Sequence, residues 1–367
     1  MRDIPRQLRK SSLSEFANLN LRVEFATYDS LIHHQFMKYE TERWMGRGFL
    51  ALTLCLTLSL SLSAAAYGQM LVPSDVIGQV RTKLAQKSFA GAEADLQSYK
   101  SQRGVTPEYL EALSWMARGA AEAGQWDKAA SYATETRRLC EQQLGGTAAA
   151  NKQKLESEPH LAIALGAAYE ALAQGLAEKG QHAQAVSLLR SALARYRNTT
   201  IGARLQKNLN LLALVGQAAP PLQEAQYLGP KPLSLASLKG TPILLFFWAH
   251  WCVDCKAEVP VIARLKQEFA SDGLVVMGPT QLYGYAAQGN DASPEQEKAY
   301  IEAVRERYYS SLLDMPVPLS KQNFNAYGAS TTPTLVVLNR AGQVAMYHPG
   351  AVSYEELRAA VQKVIAR

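Results

Sequence analysis

The sequence predicts two folded parts in series, an all-α helical array followed by an α/β domain in which strands alternate with helices. Three observations predict this. From about residue 69 to 215 the chain is rich in Ala, Leu, Gln, Glu, Lys and Arg, poor in Pro, and spaces its apolar residues as helices do. A Pro-rich junction then follows, Gln217-Ala218-Ala219-Pro220-Pro221 and Gly229-Pro230-Lys231-Pro232, which no helix can cross. Beyond it, short apolar runs alternate with amphipathic stretches. The partition is therefore 1–68, 69–215 and 216–367. The composition agrees: 48% hydrophobic and 19% charged residues supply packed cores and exclude bulk disorder. A net charge of +6, without dense Lys/Arg runs, argues against a nucleic-acid partner. Four Cys, at positions 55, 140, 252 and 255, are too few for a disulfide-stapled scaffold.

Residues 1–68 read as an upstream extension and an export segment. Phe49 to Leu62 reads FLALTLCLTLSLSL, with Arg43 and Arg47 before it and Ser63-Ala64-Ala65-Ala66-Tyr67-Gly68 after it, the order of a secretory signal peptide. Signals start close to the initiator, so Met45-Gly46-Arg47-Gly48 is the expected beginning. The alternative is an uncleaved anchor from Phe49 to Ala66, at the lower limit of a membrane span. Both readings place the rest of the chain in a periplasmic or other extracytoplasmic space. There a close Cys pair becomes a redox question. Leu54 stands where a lipidation motif needs a small residue, so Cys55 reads as part of the apolar run.

The helical region contains three approximate copies of one pattern. They are Phe89-x-x-Ala92-x-x-x-Leu96, Trp126-x-x-Ala129-x-x-x-Ala133, and His182-x-x-Ala185-x-x-x-Leu189 with Ala192 beyond. Gly124 and Gly180 precede the second and third by two positions, where a tight helix-to-helix turn needs glycine. The pattern resembles the tetratricopeptide repeat, although its spacings of 37 and 56 depart from the family's repeat of about 34 residues. A plain array of helical hairpins is the alternative. In either case stacked hairpins share a continuous core and leave a concave surface. That surface is a candidate docking site for a protein or peptide; a spacer or dimerisation unit is the other reading. Cys140, Trp126, Tyr132 and Tyr169 read as core residues.

In the third part the expected elements are a strand at 243–248, a helix at 252–270, a strand at 274–277, a helix at 294–309, strands at 334–338 and 343–347, and a helix at 354–366. Ser293-Pro294-Glu295-Gln296 supplies a cap, a first-turn Pro and a back-bonding Gln for the second helix. The chemistry lies in Phe246-Phe247-Trp248-Ala249-His250-Trp251-Cys252-Val253-Asp254-Cys255-Lys256, a buried strand running into Cys-x-x-Cys at a helix start. Cys at this spacing sit across one helical turn and close a reducible disulfide. Cys252 faces unpaired backbone N–H groups and the positive end of the helix dipole, which favour its thiolate and make it the nucleophile. Cys255, one turn further in, serves as the resolving thiol. Half a zinc site and two inert core Cys are the competing readings, but zinc wants four ligands and the sequence offers no second Cys pair or His-x-x-His.

Residues 216–367 resemble the thioredoxin-like fold, specifically the exported TlpA/ResA-type thiol-disulfide oxidoreductases. Ala219-Pro220, Leu238-Lys239-Gly240, Trp248-Ala249-x-Trp251-Cys252-x-x-Cys255-Lys256, Glu258, Pro260, Thr332-Pro333-Thr334 and Gly342 carry the resemblance in family order. It implies a central mixed sheet flanked by helices. It also implies a cis-Pro at Pro333 facing the disulfide, leaving the Thr332 backbone free to bind an extended substrate peptide. Glu258 matches the family's acidic residue that exchanges protons with Cys255; a solvated helix carboxylate is the other reading. Trp251 is expected to shield the nucleophile, and Pro260 to kink the helix.

Two features depart from the family pattern. Asp254 puts negative charge near Cys252 and pushes toward a reductant, while a protonated His250 would act the other way. The segment from Gln281 to Pro294 is longer than the usual connection and reads equally as a lid over the substrate groove or as a surface loop. The resulting expectation is an exported disulfide reductase with Cys252, Cys255 and Glu258 catalytic and Trp251, Thr332 and Pro333 binding substrate. It needs no metal or organic cofactor. Its partners would be a disulfide-containing protein substrate, a membrane thiol electron donor, and a protein on the helical part. The alternative is a helical-repeat adaptor whose thioredoxin-like part is a binding platform. Peroxide reduction fits poorly, because Ala249 stands where that chemistry wants Thr or Ser.

Overall fold

The computed structural model describes residues 75–366; the expected upstream extension and export segment lie outside the described residues. Among the described residues eight helices come first: α1 (Val76–Ala85), α2 (Phe89–Arg103), α3 (Pro107–Glu122), α4 (Trp126–Leu144), α5 (Ala148–Ser157), α6 (Pro159–Glu178), α7 (His182–Tyr196) and α8 (Gly202–Ala213). The three sequence copies each open the second helix of a hairpin. The turns before them are built alike. Gly124 and Gly180 take the left-handed conformation, and in each turn two successive amides return to the preceding helix, as Gly124 N–H to Ala121 O and Gln125 N–H to Ala120 O show. In the first copy Lys87 occupies the same place with φ 59°, bonding to Leu84 O.

The polar stretch between the second and third copies folds as α5, capped by the Thr147 side chain on the Ala150 amide and burying Leu155. One continuous core runs through the array, with Leu110, Trp115, Met116, Leu161, Leu165 and Leu189 at its centre. Cys140 lies in it, and burial pushes its thiol up to about 12, so it is packing and not a reactive group. Tyr169 is buried and donates to Glu141 at 2.7 Å.

The α/β part contains β1 (Tyr227–Leu228), β2 (Ile243–Phe247), α9 (Val253–Glu268), β3 (Val275–Met277), α10 (Pro294–Tyr308), β4 (Val317–Pro318), α11 (Lys321–Tyr327), β5 (Thr334–Leu338), β6 (Val344–Pro349) and α12 (Tyr354–Ile365). Its four-stranded sheet has the order β3-β2-β5-β6, with β2 parallel to β3 and antiparallel to β5. It is the mixed sheet that the resemblance implies. β2 and β5 are buried along their whole length because both sheet faces are covered. Leu244, Phe246, Leu335 and Val337 pack with Ile262 and Leu265 of α9 and Leu357 and Val361 of α12. Alternate residues, Leu245, Phe247, Val336 and Leu338, face Phe324 and Tyr327 of α11.

The structure differs from the expected elements at several points. The helix expected from Cys252 begins at Val253, with Cys252 as its cap, and the last strand starts at Val344 and extends to Pro349. The short ribbon of β1 with β4, and α11, were not expected. Ser293 and Gln296 do form the expected capping box of α10. The chain leaving α8 pairs with the start of β6, through Gly216 N–H to Val344 O and Ala219 N–H to Gly342 O. Asn210 of α8 donates to the Tyr327 carbonyl at 2.8 Å, which joins the helical array to the sheet domain.

Candidate active site

β2 delivers the site, and the residues that follow it are held rigidly. Trp248 is fully buried, its indole N–H bonded to Gly278 O at 2.9 Å and its ring centroid 4.4 Å from that of Tyr309. Its carbonyl accepts from the Thr280 hydroxyl at 2.8 Å. The chain then turns, Cys252 N–H bonding back to Ala249 O, and enters α9. A disulfide joins Cys252 and Cys255, whose Cα atoms are 5.3 Å apart. Cys252 is the N-cap, and its sulfur accepts the Cys255 amide at 3.0 Å. This sulfur therefore sits where a helix presents unpaired N–H groups and positive potential. Val253, beside it, is 72% exposed, an apolar residue on the rim of the site.

The β2–β5 register places Phe247 opposite Thr334, so Thr332 and Pro333 emerge at the same end of the sheet as the Cys pair. The Thr332–Pro333 bond is cis, as the resemblance implies. Thr332 is buried, and its backbone makes no hydrogen bond among the described residues. Its hydroxyl and the Trp251 indole N–H are likewise buried without a hydrogen-bond partner among those residues.

Glu258, three residues after Cys255 and so on the same helix face, is 4% exposed. One carboxyl oxygen accepts the Val352 amide at 2.9 Å, and the other is buried with no partner among the described residues. Burial pushes its pKa up and Asp254 adds to the rise, against the Val352 hydrogen bond. The solvated-carboxylate alternative does not describe it.

A cluster around His250 completes the surroundings. His250 is 1% exposed and bonded through Nε2 to Glu297 at 3.2 Å, within an edge-on cage of Tyr283, Tyr285 and Tyr300. Burial pushes the His250 pKa down, outweighing the pull of Glu297. A cationic His250 offsetting Asp254 is thus not the state this burial favours.

A thioredoxin-like domain family model matches residues 230–365. The thioredoxin-like protein YneN of Bacillus subtilis (strain 168) is 31% identical over 143 residues, 39% of this chain and 75% of that relative. This chain belongs to the thioredoxin-like family. The thiol-disulfide oxidoreductase ResA of Geobacillus thermodenitrificans is 22% identical over 152 residues, 41% of this chain and 78% of that relative. ResA of Oceanobacillus iheyensis is 26% identical over 156 residues, 41% of this chain and 73% of that protein. At the level of the family, the thioredoxin-like domain is of the thiol-disulfide oxidoreductase class.

Within the thioredoxin-like domain, Glu258 provides a test of its buried carboxyl. Its pKa is higher folded than unfolded, so its favourable contribution is present at low pH and is lost as pH rises through the folded-state value. Glu258→Gln keeps an acceptor for Val352 and removes the buried charge. The variant should match the parent in melting temperature near pH 4 and exceed it increasingly toward pH 8, as calorimetry over that range would record. Glu297 is the residue that sequence reasoning missed. A Glu in the first turn of α10 reads as an ordinary dipole-complementing charge, and nothing local marks its pairing with His250.

Proposed function

We propose that the chain is an exported thiol-disulfide oxidoreductase that reduces protein disulfides. The observation that carries this is the Cys252 sulfur at the N-terminus of α9, at the same sheet end as a Thr332 whose backbone groups are free to pair with an extended peptide. In the dithiol form the Cys252 thiolate attacks a substrate disulfide, forming a mixed disulfide and releasing one substrate thiolate. Glu258 takes the proton of Cys255 through its unpartnered oxygen. The Cys255 thiolate then attacks the Cys252 sulfur and releases the second substrate thiol. Two electrons pass to the substrate, and the 252–255 disulfide remains. A membrane thiol donor restores the dithiol by the reverse exchange. Asp254 disfavours the Cys252 thiolate and supports the reductase direction. Trp251 lines the approach to the sulfur, and the apolar run at 49–62 with its basic flank supports export. The three hairpins with like turns support a tetratricopeptide-type array that docks a protein partner.

Trapping tests this reading. Full-length Cys255→Ser protein, expressed in cells, is expected to accumulate mixed disulfides through Cys252 that reductant releases. The Cys252→Ser, Cys255→Ser double variant is expected to hold none. Equal, empty patterns from both would favour a helical-repeat adaptor with an idle Cys pair.

A further inference from the structure

The connection from Gln281 to Ser293 is thirteen residues long, at the length where a loop with little regular structure usually carries a function. It folds back on itself, with Ala286 N–H on Asn290 O and Ala292 N–H on Gly284 O. One carboxyl group ties its backbone to the domain. Glu297, 1% exposed in the first turn of α10, accepts the Tyr283 amide at 2.6 Å on Oε1 and the Gly284 amide at 2.8 Å on Oε2, with His250 also on Oε1 at 3.2 Å. A buried carboxyl with three donors holds its partners strongly and is costly to disturb. The attachment reaches the redox site directly. His250 is two residues before Cys252, and the Tyr283 ring meets the Trp251 ring edge-on at 5.6 Å and Phe324 at 6.4 Å. Tyr283 and Trp251 are half-buried against each other, and exposed Val253 follows Cys252, so these side chains give the surroundings of the disulfide an apolar rim.

We propose that Glu297 is a positioning residue that docks the 281–293 loop beside Cys252, and that the docked loop selects extended protein disulfides flanked by apolar side chains over small disulfides. A small disulfide needs only the Cys252 sulfur. An unfolded segment also lies along the rim, where its apolar side chains meet the Tyr283 and Trp251 rings. The inference rests on the disulfide-reductase reading given above. Gln is no substitute for Glu297, because its NH2 group would face a backbone N–H in place of an acceptor.

The test uses full-length protein, comparing kcat/KM for insulin with that for hydroxyethyl disulfide in the parent, Glu297→Gln and Tyr283→Ala. The insulin-to-small-disulfide ratio is expected to fall about tenfold in both variants, equivalent to one well-packed aromatic contact. Tyr283→Ala leaves the Glu297 anchor intact and so reports on the rim even if the Gln variant folds poorly. In parallel, hydrogen exchange of the Tyr283 and Gly284 amides is expected to accelerate about a hundredfold in Glu297→Gln. A ratio within about twofold of the parent's in Tyr283→Ala overturns the selection claim, and unchanged amide exchange overturns the docking claim. If the parent reduces neither disulfide, the reductase reading and the selection claim fall together, and the exchange measurement still decides whether Glu297 holds the loop.

Discussion

Cys252→Ser is expected to lower steady-state reduction of insulin by at least about a thousandfold, the scale of losing a nucleophile that acts as a unit with its partner. Cys255→Ser, in contrast, should complete half a cycle. It would release one substrate thiol per protein molecule and stop at the mixed disulfide on Cys252. The asymmetry follows from where the two sulfurs sit. Cys252 is the cap of α9, and its sulfur receives the Cys255 amide; Cys255 lies inside the first turn and is fully buried. On the proposed cycle the helix potential favours a thiolate at the first position, and the buried second sulfur turns nucleophilic only once Glu258 takes its proton. Serine is itself a preferred N-cap, so Cys252→Ser keeps the hydrogen bond that starts the helix, and its loss of activity is not a loss of fold. The disulfide closes a loop of only a few residues, whose closure entropy is small. Stopped-flow measurement of released thiol, with mass spectrometry of the alkylated protein, separates the two behaviours. A full multiple-turnover rate in Cys255→Ser would remove the resolving role assigned to that residue.

Much of this site is written locally in the chain. The run from Phe246 to Cys255 carries a buried strand, its end and a capped helix in ten consecutive residues, and Thr332-Pro333 needs only its own dipeptide to be noticed. The Gly124 and Gly180 turns are legible for the same reason, since glycine announces a positive φ. Lys87 makes the same turn with no such mark. Other parts depend on distance in space. Glu297 and His250 are 47 residues apart, and each alone looks ordinary. The seven-residue α11 contributes Phe324 and Tyr327 to the sheet face opposite the Cys pair, too few apolar positions to show a helical period. Helix α5 falls within a region legible as helical throughout, but because it buries Leu155 alone it shows no apolar period of its own. Asn210 is a polar residue in a helix until its acceptor, the Tyr327 carbonyl 117 residues away, is brought to it.

The contact between the helical array and the sheet domain yields the second large effect, expected for Gly328→Ala. Gly328 ends α11 in the left-handed conformation, φ 60° and ψ 33°. A Cβ there would lie 2.6 Å from Lys207 Cα and closer still to Lys207 N. These are backbone atoms of α8, which no side-chain rotation can move aside. The neighbouring bonds hold the same spot: Asn210 and the Tyr347 hydroxyl both donate to the Tyr327 carbonyl, at 2.8 and 2.9 Å. Left-handed backbone costs a residue with a Cβ about 1–2 kcal/mol, and overpacking adds roughly 1–3 kcal/mol. The protein should lose about 2–5 kcal/mol, enough to lower its melting temperature by roughly 5 °C or more. Gly342→Ala is the matched comparison, because Gly342 has φ 77° but nothing within 4 Å of the added Cβ. It should bear the backbone cost without the clash. The difference between the two variants then measures how rigidly α8 is seated on α11. Limited proteolysis should cut Gly328→Ala faster than Gly342→Ala between residues 197 and 216, where the chain passes from the array to the sheet. Equal destabilisation and equal cleavage would mean that α8 yields at no cost, and that the two parts are not held by this contact.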